Sequence, residues 1–197
     1  MAQRRVTLAT LPTPLESGGL LPGGANLWVK RDDLTGLGVG GNKARKLEFL
    51  CGEALDNNAT CLVTVGAAQS NHCRMTAAAG ARLGLPTHLV LSGEKPARLE
   101  GNQLLSAMFG AILHHTGLAA NDWARLEAIR ADLTAKLTLD GERPHSIPIG
   151  GSTPVGAIGY AVAYEEIVGQ CTANGFAADA IVFTTSSGGT HAGLIAG

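Results

Sequence analysis

Near-continuous apolar runs of strand length alternate along this chain with segments of helical period, and that alternation constrains the fold more than any other feature. Cys61–Val65, Thr87–Leu91 and Ala180–Thr185 are short runs with little polar alternation, the pattern of strands buried on both faces. Asn26–Lys30 and Ser146–Ile149 read as shorter strands. Helices are predicted over Asn42–Leu55, His72–Leu83, Gly101–Gly110, Trp123–Leu137 and Pro154–Gln170, with another opening near His191. In the first of these, Leu47, Leu50, Cys51 and Leu55 recur on one helical face, and Asn42 stands at the N-cap position. Gly84 and Pro86 stop the second. Strands alternating with helices predict an α/β protein of mostly parallel sheets covered on both faces, organised as three-layer α/β units.

Composition narrows the function classes. With 45% apolar and 16% charged residues, the 197-residue chain can build a core and is not disordered. A net charge of -1 excludes nucleic-acid binding driven by charge alone. No run of 18 apolar residues is present, so no membrane partner is expected. Arg4 and Arg5 are followed by Pro12 and Pro14 rather than by an apolar stretch, unlike a secretory signal. Cys51, Cys61, Cys73 and Cys171 show no CxxC spacing and sit among Ala, Leu and Val, as reduced buried thiols of a cytoplasmic protein do. His114 and His115 are adjacent and point apart, and no HExxH occurs, so no metal site is expected. Trp28 and Trp123 are expected in packing roles, and Arg45 and Arg74 on helix surfaces.

Loops between a strand and the next helix are where α/β proteins bind ligands, and three here are rich in Gly, Ser and Asn. The loop at 36–43 holds a literal GxGxxG, Gly36, Gly38 and Gly41. A dinucleotide site also needs an acid ending the next strand, and that strand ends in Gly66. Lys43, in the opening helical turn, faces a positive dipole end that favours the neutral, nucleophilic amine able to form a Schiff base; the bland alternative is a solvated surface lysine. In the loop at 66–72, Ser70, Asn71 and His72 suit a carboxylate at a helix N-terminus, or serve only as caps. At 186–191, Ser187, Gly188, Gly189 and Thr190 suit a phosphate monoester, or form an ordinary strand-to-helix turn.

Four blocks in order carry a resemblance. They are Lys30-Arg-Asp-Asp-Leu-Thr-Gly with Gly40-Gly-Asn-Lys-Ala-Arg-Lys-Leu-Glu-Phe-Leu50, then Gln69-Ser-Asn-His-Cys-Arg74, then Gly150-Gly-Ser-Thr-Pro-Val-Gly-Ala-Ile-Gly-Tyr160, and Ser187-Gly-Gly-Thr-His-Ala-Gly193. Together they resemble the D-cysteine desulfhydrase and 1-aminocyclopropane-1-carboxylate deaminase family, pyridoxal-phosphate enzymes of fold type II related to the tryptophan synthase β chain. The resemblance implies that Lys43 carries the cofactor as a Schiff base and shuttles the α-proton. It implies that Lys46 with Ser187, Gly188, Gly189 and Thr190 holds the phosphate, and that Asn71 bonds the cofactor's phenolic oxygen. Ser70, Asn71 and His72 would bind the substrate, with Ser70 aiding proton transfer. His72 resembles the desulfhydrase branch more than the deaminase branch. The implied reaction is β-elimination at a small amino acid such as D-cysteine, giving pyruvate, ammonia and sulfide; the alternative is the deaminase.

The family's architecture implies a small inserted domain over 52–152, with 1–51 and 153–197 belonging to the larger cofactor domain. Family members continue past the phosphate loop, so the large domain is expected to be incomplete here. Two arrangements follow: a longer chain that forms a homodimer, or a half-protein, inactive until a complementing C-terminal chain joins it.

Overall fold

The computed structural model describes residues 3–197, so residues 1 and 2 of the expected 1–51 segment lie outside the described residues. An antiparallel ribbon comes first, β1 (Leu15–Leu20) with β2 (Asn26–Lys30). Helix α1 (Lys43–Asp56) leads into β3 (Cys61–Gly66), α2 (Asn71–Leu83) and β4 (Thr87–Leu91). Then come α3 (Gly101–Met108), β5 (Ile112–His115), α4 (Trp123–Leu139) and β6 (Pro144–Ile147). Helices α5 (Pro154–Ala173) and α6 (Gly189–Ala196) complete the order.

The runs with the strongest apolar character form one parallel sheet, ordered β5-β4-β3-β6. Every residue of β3 is buried, as a central strand covered on both faces must be. Alternation along β3 serves both layers. Leu62 packs with Leu47, Leu50 and Ala54 of α1 and Met75 of α2. Val65 turns to the other face, against Leu126 of α4 and Val90. This is the three-layer arrangement the alternating pattern predicts; Cys51, Cys61 and Cys73 are free and buried within it, and Cys171 is free and buried on α5.

Helices α1 and α5 pack closely because α5 has no side chain at Gly159, where a Cβ would collide with the Arg45 carbonyl. That approach buries an ionic network. Arg45 is 2% exposed, which corrects its expected surface position. Its guanidinium reaches Asp32 at 2.8 Å and Glu166 of α5 at 2.9 Å, and Lys30 of β2 meets the same Glu166 oxygen at 2.5 Å. Arg45 also donates to Thr13 Oγ1, and Tyr160 donates its hydroxyl to Asp32 at 2.7 Å. A planar five-donor group can satisfy two carboxylates at once, which an ammonium could not do with the same geometry. Arg74 is half-buried rather than a surface residue; its guanidinium donates to the Gly40 carbonyl at 2.8 Å.

Three differences from the sequence expectations have physical causes. Ala180–Thr185 forms no strand: among the described residues no strand lies beside it, and β propensity is expressed only where a neighbour accepts the backbone bonds. Val182 is accordingly 95% exposed. Strands β1 and β5 were not signalled. LESGGL is held by ribbon pairing, and ILHH by an edge position beside β4. Trp123 is 40% exposed, not core, whereas Trp28 stacks on Phe176 with centroids 4.7 Å apart.

Substituting Arg45→Met leaves Asp32 without its cation and Glu166 with Lys30 alone, and is expected to cost about 3–5 kcal/mol in urea unfolding. Burial by itself would raise the Glu166 carboxyl, but hydrogen bonds and charge from Arg45 and Lys30 outweigh it and hold it down at about 2. Its folded value lies below its ordinary value of 4.5, so the stability it supplies is present above pH 4.5 and lost as the pH falls towards 2. In Glu166→Gln that part of the acid-unfolding profile is expected to flatten.

Candidate active site

Lys43 opens α1 and projects into a cavity of about 690 Å³ that Asp32, Asn71, Tyr160 and Thr190 also line. Its ammonium meets the Asn42 carboxamide oxygen at 3.2 Å. Burial lowers its pKa, because a desolvated ammonium is disfavoured against the neutral amine. The direction agrees with the sequence expectation; the cause is burial. Asn42 stands immediately before α1 but in helical backbone, and its side chain does not cap the helix. Instead it reaches across to Thr190, with Nδ2 at 3.4 Å from Oγ1. The loop before it is not a dinucleotide turn. Among the described residues strand β2 pairs with antiparallel β1 alone, and Gly36 and Gly38 belong to one 3-10 turn, Gly36 as its N-cap, rather than to the end of a parallel strand.

One turn on from Lys43, Lys46 is 1% exposed. Its Nζ donates to the Gly150 carbonyl at 3.2 Å and approaches Ser152 Oγ at 3.5 Å. Burial first, and then the charge of Lys43, push its ammonium down to about 8. Neither lysine has a carboxylate within ion-pair distance among the described residues. A buried ammonium and a half-buried one, neither in an ion pair among the described residues, form a site whose missing charge is an anion.

The backbone completes that site. Ser152 accepts the Gly189 N–H at 3.2 Å and donates to Ser187 Oγ at 2.7 Å. Gly188 takes a left-handed conformation, φ 81°, as the chain enters α6. A Cβ on Gly189 would stand 2.6 Å from Ser152 Oγ and 2.7 Å from Lys46 Nζ, so only glycine lets the N-terminus of α6 come this close to the lysine. Helix-terminal N–H groups, hydroxyls and an ammonium converging on one point suit a phosphate monoester, and the reactive amine of Lys43 lies on the same cavity. The donor set therefore fits pyridoxal phosphate.

The second loop divides. Ser70 caps α2, its Oγ accepting the Cys73 N–H at 3.2 Å. Asn71 is exposed and lines the cavity. His72 points inward, 4% exposed, with Nε2 at 2.8 Å from Thr64 Oγ1 and Nδ1 without a partner. Burial, and then the charges of Lys43 and Lys46, push its pKa down to about 3, so it is a neutral imidazole. The structure thus brings Lys43, Lys46, Asn71, Ser187, Gly188 and Thr190 to one cavity and sets Gly189 against Lys46. Ser70 and His72 are not on its lining. Sequence reasoning passed over Ser152, Asp32, Asn42 and Tyr160 as site residues. All four stand in the blocks that carry the resemblance, and tertiary packing decides which residues of those blocks reach the site.

Substituting Gly189→Ala is expected to weaken pyridoxal-phosphate binding by about tenfold, the value of one charge-assisted hydrogen bond. Calorimetric titration measures it, and an unchanged far-ultraviolet circular dichroism spectrum shows that the fold is retained.

The family model described as "Pyridoxal-phosphate dependent enzyme" matches residues 6–197. A bifunctional D-cysteine desulfhydrase/1-aminocyclopropane-1-carboxylate deaminase of Arabidopsis thaliana is 42% identical over 97% of this chain and 50% of its own length. A D-cysteine desulfhydrase of Serratia proteamaculans is 41% identical over 98% of this chain and 59% of its own. A crystal structure of an ACC deaminase homologue superposes with a TM-score of 0.84 at 41% identity, covering 97% of this chain and 57% of that one. The chain therefore spans between half and three-fifths of the length of these relatives. Its fold is that of fold type II pyridoxal-phosphate enzymes, and its cofactor is pyridoxal phosphate. On the sequence blocks, the matched model and the superposition together, this chain belongs to the pyridoxal-phosphate dependent enzyme family.

Proposed function

We propose that the protein of which this chain forms part or all is a carbon–sulfur lyase. It would release pyruvate, ammonia and sulfide from a small amino acid such as D-cysteine. The observation that carries the reading is the pairing, on one cavity, of a buried reactive lysine with a separate anion cradle. Relatives named as D-cysteine desulfhydrases support the substrate class. Bound pyridoxal phosphate supplies the electron sink that makes a substrate Cα–H acidic.

The chain's own residues do the rest. Lys43, whose pKa burial lowers, would hold the cofactor through its amine and would take the substrate α-proton. Lys46, Ser187, Gly188, Gly189 and Thr190 hold the phosphate, with Ser152 as their hub. Asn71 would hold the cofactor at its phenolic oxygen. Ser70 and Asn71, at the N-terminus of α2, receive the substrate carboxylate, and Ser70 assists proton transfer. His72 supports that turn from behind through its bond to Thr64. Residues 52–152 form the small domain, which contains the whole parallel sheet; 1–51 and 153–197 belong to the cofactor domain. The four buried free thiols fit the cytoplasm, and a homodimer is the proposed assembly. No helix among the described residues is long and apolar enough to cross a membrane.

The exposed segment around Val182 favours a second reading, in which this chain is an inactive half that needs a complementing chain. Val182 is 95% and Ile195 74% exposed, an apolar face with no cover among the described residues.

Mixing the purified chain with pyridoxal phosphate is expected to give the yellow absorption of a lysine-bound cofactor. Borohydride should trap the adduct on the peptide containing Lys43, and Lys43→Ala should abolish both signals. No adduct, or an adduct on another lysine, rejects the assignment. Pyruvate and sulfide from D-cysteine, with none from 1-aminocyclopropane-1-carboxylate, select the lyase; the reverse selects the deaminase. An adduct without turnover of either compound supports the half-protein reading.

A further inference from the structure

Asn71 lines the cavity, and its carboxamide offers either an acceptor or two donors, so which end is free decides what it can bind. The structure fixes that choice from a residue outside the cavity. Arg74 Nη1 lies 3.1 Å from Asn102 Oδ1. A guanidinium only donates, so this atom of Asn102 must be the oxygen. The Asn102 Nδ2 group must then find acceptors, and it has two: the Gln69 carbonyl at 2.8 Å and the Asn71 carboxamide at 2.9 Å. The atom of Asn71 facing Asn102 is therefore Oδ1, and Nδ2 is the end left for the cavity.

Neighbouring bonds have the same polarity. The Asn102 backbone N–H donates to Gln69 Oε1 at 2.7 Å, and Gln69 Nε2 donates to the Glu100 carbonyl at 3.3 Å. Arg74 also donates Nη2 to the Gly40 carbonyl at 2.8 Å, in the loop that leads into Lys43. One arginine thus ties the lysine loop, the α3 terminus and the Asn71 turn into one directed chain of hydrogen bonds.

We propose that Asn102 is a positioning residue, set by Arg74, that holds the Asn71 carboxamide with its NH2 towards the cavity so that it serves as a donor to an anionic or phenolic oxygen of the bound cofactor. The proposal rests on the cofactor reading above only for what Asn71 donates to. The orientation itself belongs to the cofactor-free chain. Asn102 touches neither cofactor nor substrate in this role; it acts through Asn71.

Asn102→Asp is the discriminating variant. It keeps an oxygen for Arg74 and replaces the donor facing Asn71 and Gln69 with a second acceptor, so Asn71 must turn its NH2 away from the cavity. In the cofactor-free 197-residue chain, the side-chain amide resonances of Asn71, assigned by comparison with Asn71→Ala, are expected to move in Asn102→Asp. Resonances that stay in place overturn the proposal, whatever the cofactor does. With pyridoxal phosphate, Asn102→Asp is expected to bind about fivefold more weakly, the value of one neutral hydrogen bond, and to change the ratio of the bound cofactor's two absorption bands. In an Asn71→Ala background the same substitution is expected to change neither. An equal effect in both backgrounds means that Asn102 acts only through general stability, and rejects the positioning role. A wild-type chain that binds no pyridoxal phosphate defeats the functional reading above, while the amide resonances still decide this one.

Discussion

The buried pairing of Arg45 with Asp32 and Glu166 is the constraint on which the rest of the site depends. It joins the turn after β2 and helices α1 and α5, three pieces far apart in sequence. Charges this buried repay their desolvation only when every donor and acceptor is met, and here Thr13, Tyr160 and Lys30 supply the remaining partners. The network sets where α1 lies, and α1 carries both Lys43 and Lys46. The same Asp32 that neutralises Arg45 accepts from Tyr160 and lines the cavity, so the structural ion pair and the cavity wall share one side chain.

Burial acts with opposite results on neighbouring cations in the first turn of α1. For Arg45 it is compensated by carboxylates, and the guanidinium stays charged. For Lys43 and Lys46 it is not compensated, and both ammonium groups are lowered. Acids lie against the Arg45 guanidinium, whereas neither Lys43 nor Lys46 has one within ion-pair distance among the described residues. A bound phosphate would return to Lys46 the counter-charge the protein withholds, so affinity for the anion and the vacancy of acid in the cradle have one cause.

Much of this was legible in the sequence. The apolar runs at Cys61–Val65 and Thr87–Leu91 pair as β3 and β4 because their side chains suit burial on both faces, and the helical segments end where Gly84 and Pro86 require. The glycine, serine and asparagine loops stand at helix starts. Ala180–Thr185 is a comparable apolar run and forms no strand, because pairing is a property of the neighbour as much as of the run. Arg45 lay outside any surface pattern that could reveal it, since its partners Asp32 and Glu166 are 13 and 121 positions away. Asn102 was equally silent: its role comes from which atoms of Gln69, Asn71 and Arg74 converge on it.

The sequence by itself determined the class of fold and the small-residue turns at helix starts, because these rest on periodicity and on local backbone freedom that neighbouring residues dictate. The tertiary structure decided which of those turns share a cavity, that His72 faces Thr64 and the interior, that Lys43 is tuned by burial, and which end of the Asn71 amide faces a ligand. Desolvation and hydrogen-bond direction depend on groups brought together from distant parts of the chain, and no local pattern encodes them.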